Sequence, residues 1–322
     1  MSAAHALEAL LVRGLSGGAR ALPWRASLGF GAALGGLAHG LGVRRRVAEE
    51  NLALAFPERS AEERAAILRA HYRELGRVVV EYPRLAELAQ APAGRVFAEV
   101  RGWEHFEHLR GRGAIMLTGH FGNFELGGAM LGQKHAVDVV VRPLSNPRVE
   151  AILARERERA GVGVISADRG IRRVYEALRA GRWIAMLADQ DARRQGVFVP
   201  FLGRPASTAL GPARISLATG APIVMGFVAR GADGRMTLDI EPPLAVEDPA
   251  APDAALRLTA LHSARLEARV RARPEMWFWL HRRWKTRPLA EARAAATPAS
   301  ASPAPQPGLG AKRAARHAGG RA

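Results

Sequence analysis

The residues best suited to chemistry lie in one short stretch. An apolar run, AIMLT (Ala114 to Thr118), feeds directly into GHFGNFELGG, which carries His120 and Glu125 between glycines. On a regular helix, positions five apart point roughly 140° away from each other, so these two side chains would not share a face. They meet only if His120 sits on the turn before a helix and Glu125 in its first turn, a geometry that Gly122 makes accessible. A carboxylate bonded to one imidazole nitrogen fixes the tautomer and raises the basicity of the other nitrogen, which then takes a proton from an attacking hydroxyl. Such a base contributes about 10²–10⁴ in rate. It requires no covalent intermediate, in keeping with a chain that has no cysteine and no well-placed serine nucleophile. By itself the pair is a weak signal, since a His and a Glu at this spacing are more often solvated surface groups.

Other candidates carry less. Gly14 to Gly18 (GLSGG) fits the nucleophile-elbow pattern but follows no strand. The WEHFEH segment (Trp103 to His108) holds two histidines and two glutamates at a spacing that matches no zinc motif, and reads as a solvated helical turn. Asp189 and Asp191 would suit a cation, although a strand-end aspartate more often holds an arginine or a loop. No dinucleotide fingerprint or Walker loop is present, and no metal or organic cofactor is implied.

The elements that must position this chemistry alternate. Between Val96 and Val228 the runs AIMLT, VDVVV (Val137 to Val141), VGVI (Val162 to Ile165), WIAML (Trp183 to Leu187) and PIVMGFV (Pro222 to Val228) are separated by amphipathic stretches such as Arg148 to Ala160 and Gly170 to Ala180. That rhythm predicts an α/β domain with a largely parallel or mixed central sheet. Gly226 to Ile240, turning at Gly231 to Gly234, predicts an antiparallel hairpin within it. Upstream, Ser60 and Glu63 form a capping box, followed by Ile67, Leu68, Tyr72, Leu75, Val78 and Val79 at helical spacing.

At the N-terminus, residues 26–43 are uncharged and rich in Gly and Ala, with Arg25 before them and Arg44, Arg45 and Arg46 after. The length is borderline for a bilayer span, which takes roughly 20 apolar residues. The stretch reads as a membrane anchor that spans or lies in the interface, the alternative being a buried helix of a soluble domain. After Pro288 the composition turns to Ala, Pro, Ser and Gly with scattered bases, as in a disordered basic tail. The division expected is therefore an anchor region over 1–46, a catalytic domain over 47–288 and a tail over 289–322.

Charge points to an anionic partner. Lys plus Arg total 47 against 30 for Asp plus Glu, a formal +17. Part of the excess is a compositional bias toward Arg, since Lys134 and Lys285 are the only lysines before the tail. The segment from Trp277 to Arg287 interleaves aromatics with bases, so it suits a membrane surface, a packed chain end whose tryptophans enter the core, or nucleic acid.

Here the sequence resembles a known family, the late acyltransferases of lipid A biosynthesis. HFGNFE is similar to the H-x₄-D/E motif of lipid acyltransferases, and further segments agree in order: NLALAFP (Asn51 to Pro57), VRPLSNP (Val141 to Pro147), RERAG (Arg157 to Gly161), ADQD (Ala188 to Asp191), GVFVPF (Gly196 to Phe201), GPARISLATGAPIV (Gly211 to Val224) and WLHRRWKTRP (Trp279 to Pro288). The resemblance implies a glycerol-phosphate-acyltransferase-like sandwich with an N-terminal hydrophobic anchor helix, at the cytoplasmic face of the inner membrane. It implies transfer of an acyl chain from acyl carrier protein to the hydroxyl of a 3-hydroxyacyl chain on a lipid A precursor. It makes His120 the general base and Glu125 its orienting carboxylate, and it matches Arg157 and Asp189 to charged active-site positions and Arg142 and Asn146 to a substrate-binding loop. Nucleic acid is not among the partners it implies. Another glycolipid or a phospholipid is the alternative acceptor, although Glu at 125 and the closing HRRWKTRP favour lipid A. A basic membrane-binding protein without catalysis is the alternative from a different class.

Overall fold

The alternation of apolar runs and amphipathic stretches resolves, in a computed structural model that describes residues 3–168 and 170–288, into helices on both faces of one sheet. Residues up to Arg287 belong to one compact unit. The expected basic tail over 289–322 lies outside the described residues. Four helices open the chain: α1 (Ala3–Ala21), α2 (Trp24–Gly40), α3 (Arg45–Ala55) and α4 (Ala61–Glu81). There follow α5 (Leu85–Ala89), β1 (Phe97–Arg101), α6 (Trp103–His108), β2 (Ala114–Thr118), α7 (Phe124–Gly132), β3 (Val137–Val141), α8 (Pro147–Arg159), β4 (Val162–Ser166), α9 (Ile171–Arg179) and β5 (Trp183–Leu187). The hairpin β6 (Val197–Phe201) and β7 (Arg204–Thr208), then α10 (Gly211–Thr219), β8 (Ile223–Arg230), β9 (Met236–Ile240) and α11 (Ala254–Ala272) complete it.

The sheet runs β1-β9-β8-β2-β5-β3-β4. Strands β8, β2, β5, β3 and β4 are parallel, so crossover helices cover both faces and the strands read as continuous apolar runs. β9 returns antiparallel to β8, the hairpin expected around Gly231 to Gly234, and makes the sheet mixed. Side-chain alternation divides the core. Ile115 and Leu117 of β2 face α9, α10 and α11, while Ala114 and Met116 face α6 and α7.

The N-terminal helices follow from their glycines. Added Cβ atoms at Gly31 and Gly35 would lie 2.6 Å from the Gly76 carbonyl oxygen and 1.9 Å from that of Tyr72, so α2 rests backbone-to-backbone on α4. α4 begins at the Ser60/Glu63 capping box. No single helix among the described residues is long and apolar enough to cross a membrane; α2 and α3 meet such a requirement only together, across a 91° bend.

Candidate functional site

Parallel strands deliver their following loops to one edge of the sheet. β2 and β5 are neighbours, with Thr118 beside Leu187 in register. The residues two beyond each strand end, His120 and Asp189, therefore stand side by side. The His120 Nδ1 lies 2.8 Å from Asp189 Oδ1, and the His120 backbone N–H donates to Asp189 Oδ2 at 2.8 Å. The Trp277 indole N–H donates to the same Oδ2 at 2.8 Å. With Asp189 only 5% exposed and ionised, Nδ1 carries the hydrogen and Nε2 keeps its lone pair.

The turn that holds His120 is clamped from behind. Gly122 donates its N–H to the Met276 carbonyl and Phe278 donates its own to the His120 carbonyl, with Phe121 and Trp277 bridged between them. Gly122 adopts φ of +54°, and a Cβ there would strike the Val228 carbonyl at 1.7 Å, so only glycine fits. Asn123 then caps α7 by accepting from the Leu126 N–H, and donates to Glu81 at 2.8 Å. Glu81 is fully buried. It is held by Arg230 at 2.6 Å and by the Trp24 indole, and Arg230 also grips Glu74. A buried ion network thus ties α2, α4 and β8 to the start of α7.

Glu125 does sit in the first turn of α7, as its spacing from His120 required, but its carboxylate goes elsewhere. Arg157 of α8 takes it in a two-pronged grip, Nε to Oε2 at 3.1 Å and Nη2 to Oε1 at 2.6 Å. The expectation that Glu125 orients the imidazole is therefore corrected. α7 aims that side chain toward α8, and the carboxylate that reaches the imidazole comes from the neighbouring strand end. Glu125 acts on His120 through space. Burial disfavours the imidazolium, yet the charge of Asp189, its hydrogen bond and the charge of Glu125 together hold the His120 pKa above its usual value. Burial pushes the Asp189 carboxyl up, but the His120 charge, the two His120 hydrogen bonds and the Trp277 N–H outweigh it and bring it down to about 2.

Two cavities meet at this histidine. One, of about 380 Å³, is walled mainly by apolar side chains, among them Leu15 of α1, Val78 of α4, Leu153 of α8 and Phe278. The other, about 830 Å³, opens past Arg142, Leu144, Ile171 and Gln190. His120, Phe124, Glu125 and Arg157 line both. Gln190, which sequence reasoning did not single out, brings its amide nitrogen to 3.4 Å from His120 Nε2.

The remaining expected residues divide. Arg142 is exposed on the rim of the larger cavity. Asn146 lines neither cavity. It caps α8 and donates to the His5 carbonyl and Glu8, so its hydrogen bonds are spent on joining α8 to α1. Asp191 accepts from the Thr286 hydroxyl, and no cluster of three or more potential metal ligands occurs among the described residues. The aromatic and basic segment after Met276 is packed: Trp277 and Trp279 are buried, and Arg283, 1% exposed, donates to the Ser207 carbonyl and the Thr208 hydroxyl. Its alternation of aromatics and bases left a membrane surface, packing and nucleic acid all open, because the acceptors of its buried hydrogen bonds belong to residues distant in sequence.

The amino-acid sequence is similar to those of known proteins. The chain is 30% identical over 276 residues to the lipid A biosynthesis palmitoleoyltransferase of Escherichia coli K12, covering 84% of this chain and 88% of that one. To the lauroyltransferase of the same organism it is 29% identical over 278 residues, covering 83% and 88%. A phosphatidylinositol mannoside acyltransferase of Mycobacterium tuberculosis H37Rv is 29% identical over 197 residues, covering 58% of this chain and 59% of its own. The family model for bacterial lipid A biosynthesis acyltransferases matches residues 4–286, and the chain belongs to that family.

Proposed function

We propose that the protein transfers a fatty acyl chain from the thioester of acyl carrier protein to the hydroxyl of a 3-hydroxyacyl chain on a lipid A precursor. The observation that carries this reading is the place of His120, oriented by Asp189 at the junction of two cavities. A transfer between two long substrates needs two spaces and one base between them. In this mechanism the acceptor hydroxyl gives its proton to His120 Nε2 as its oxygen attacks the thioester carbonyl. The new C–O bond forms a tetrahedral oxyanion, and Gln190 stands within reach to donate to it. Collapse breaks the C–S bond, and the imidazolium returns the proton to the departing thiolate. Asp189 stabilises the imidazolium throughout. The Glu125–Arg157 pair fixes one wall shared by both cavities, and Arg142 on the rim suits a phosphate of the acceptor.

The same reading places the enzyme at the cytoplasmic face of the inner membrane, held by its N-terminal helices. An acidic donor protein is matched by the basic surface, which speeds docking. Mass spectrometry of lipid A from cells with and without the protein tests the reaction. The expected result is one acyl increment that disappears in His120→Ala cells with the protein still folded. An unchanged lipid A profile would overturn the acceptor, and a change in another glycolipid would name its replacement.

A further inference from the structure

The segment after α11 holds a buried charge that the reaction, as drawn above, leaves without a task. The Arg283 guanidinium donates to the Ser207 carbonyl and the Thr208 hydroxyl of β7, and lies 5.3 Å from the centre of the Phe201 ring of β6. All three partners are neutral. Burial pushes the Arg283 pKa down to about 10, so the group is still a cation at neutral pH. An enclosed cation is costly unless an anion offsets it. Among the described residues no carboxylate is in contact with Arg283, and the two that act on it through space are Asp189 and, more weakly, Asp191.

The two differ in where they stand. Asp191 lines the larger cavity, which is open, and holds the Thr286 hydroxyl. Asp189 shares with Arg283 a separate cavity of about 10 Å³, walled also by Thr118 of β2, Thr208 of β7, and His262 and Ser263 of α11. Of these residues all but Thr118 are buried. The space is about what one water needs, and polar groups ring it. Arg283 Nε and His262 Nε2 are both buried without a hydrogen-bond partner. Asp189 Oδ1 receives one donor where Oδ2 receives two, so it has a lone pair to spare. Burial pushes His262 down to about 4, and it lowers the half-buried His281 as well, so neither adds a second cation at neutral pH.

We propose that Arg283 is a positioning residue for His120: across this closed cavity it is the counter-charge of Asp189, the carboxylate that orients the imidazole. Its positive charge limits how tightly Asp189 holds a proton on His120, so the neutral base persists to lower pH. Each carboxylate near the imidazole then has its own arginine, Arg157 in contact with Glu125 and Arg283 across the cavity from Asp189. The effect on turnover rests on the acyl-transfer reading. The charge pairing does not.

The test follows the ring resonances of His120 against pH in the full chain, labelled with ¹³C-histidine and assigned with His120→Ala, beside the rate of transfer. In Arg283→Met the His120 midpoint should rise by about one pH unit, the order of one charge acting inside a protein, and carry the rising limb of the rate with it. Arg283→Lys keeps a cation and should stay near the wild-type midpoint, even where its lost hydrogen bonds lower the rate. An unmoved midpoint in Arg283→Met, or the same displacement in both variants, overturns the proposal and leaves Arg283 a stitch between the chain end and the β6–β7 hairpin. A second arm needs no activity. Asp189→Asn strands the arginine and Arg283→Met strands the carboxylate, so their combination should be more stable than the two separate losses predict, by about tenfold or more in the unfolding constant. Should Arg283→Met alone fail to fold, the combination should fold where it fails. Additive losses, or a combination that also fails, overturn the pairing. A wild type that transfers no acyl group, with the midpoint and the combined variant behaving as expected, would refute the reaction and leave the ion pair standing.

Discussion

Replacing Asp189 by Asn separates the carboxylate that the structure sets against His120 from Glu125, the one that the sequence expected there. Asp189 Oδ2 receives two fixed donors, the His120 N–H and the Trp277 indole, so the amide oxygen of Asn must occupy that side. The amide NH₂ then faces Nδ1, which must become an acceptor, and the proton moves to Nε2. The lone pair needed for proton abstraction is lost while the side chain's shape is kept. Loss of an oriented base costs about 10²–10⁴ in rate, equivalent to about 2.7–5.4 kcal/mol in the barrier. The assay is thiol release from an acyl thioester in the presence of the lipid acceptor, followed against pH. In the wild type the His120 pKa is raised, so the neutral, active base accumulates as pH climbs above the ordinary imidazole range, and the rate rises with it. Asp189→Asn should abolish that limb or move it down. Glu125→Gln, which loosens Arg157, should lower turnover but keep the limb, shifted slightly down by the lost charge. If Glu125→Gln removes the limb and Asp189→Asn leaves it in place, the assignment of the orienting carboxylate is refuted. Stability provides a second check. A carboxyl held at about 2 against an ordinary 3.8 stabilises the fold by about 2 kcal/mol above the ordinary range, and this fades as pH falls through 4 toward 2. The variant should lack that dependence.

Two further outcomes follow from the packing. Glu81→Gln leaves Arg230 with Glu74 alone in a site the solvent does not reach, and unfolding measurements should show a loss toward the lower end of about 3–5 kcal/mol. Because Asn123 leans on the same carboxylate, activity should fall at temperatures where the protein is still folded. Gly35→Ala puts a methyl 1.9 Å from the Tyr72 carbonyl oxygen, so α2 must move off α4, with an expected loss of about 1–3 kcal/mol in thermal or denaturant unfolding.

The amino-acid sequence by itself determined much of this protein. Five apolar runs bounded by turn residues marked β2, β3, β4, β5 and β8 to within two residues, because a strand buried on both faces needs an uninterrupted apolar run. The capping box at Ser60 marked the start of α4, and the strand-to-helix turn with its two glycines singled out His120 as the candidate base. These are local matters, decided by residues within a turn of one another. What touches His120 was decided at longer range. Asp189 stands two residues past β5 just as His120 stands two past β2, but nothing local says that the chain lays β5 beside β2 and puts β3 and β4 outside it. Spacing alone favoured Glu125, the nearest carboxylate along the chain, and the tertiary structure gave that group to Arg157. The glycines of α2 were equally ambiguous in sequence, where they weaken a membrane span. Only the position of α4 makes them sites of close backbone contact and leaves the other face of the helix outward. Side chains sixty or more residues apart meet because sheet order and helix packing bring them together, and those are set by burial summed over the whole core.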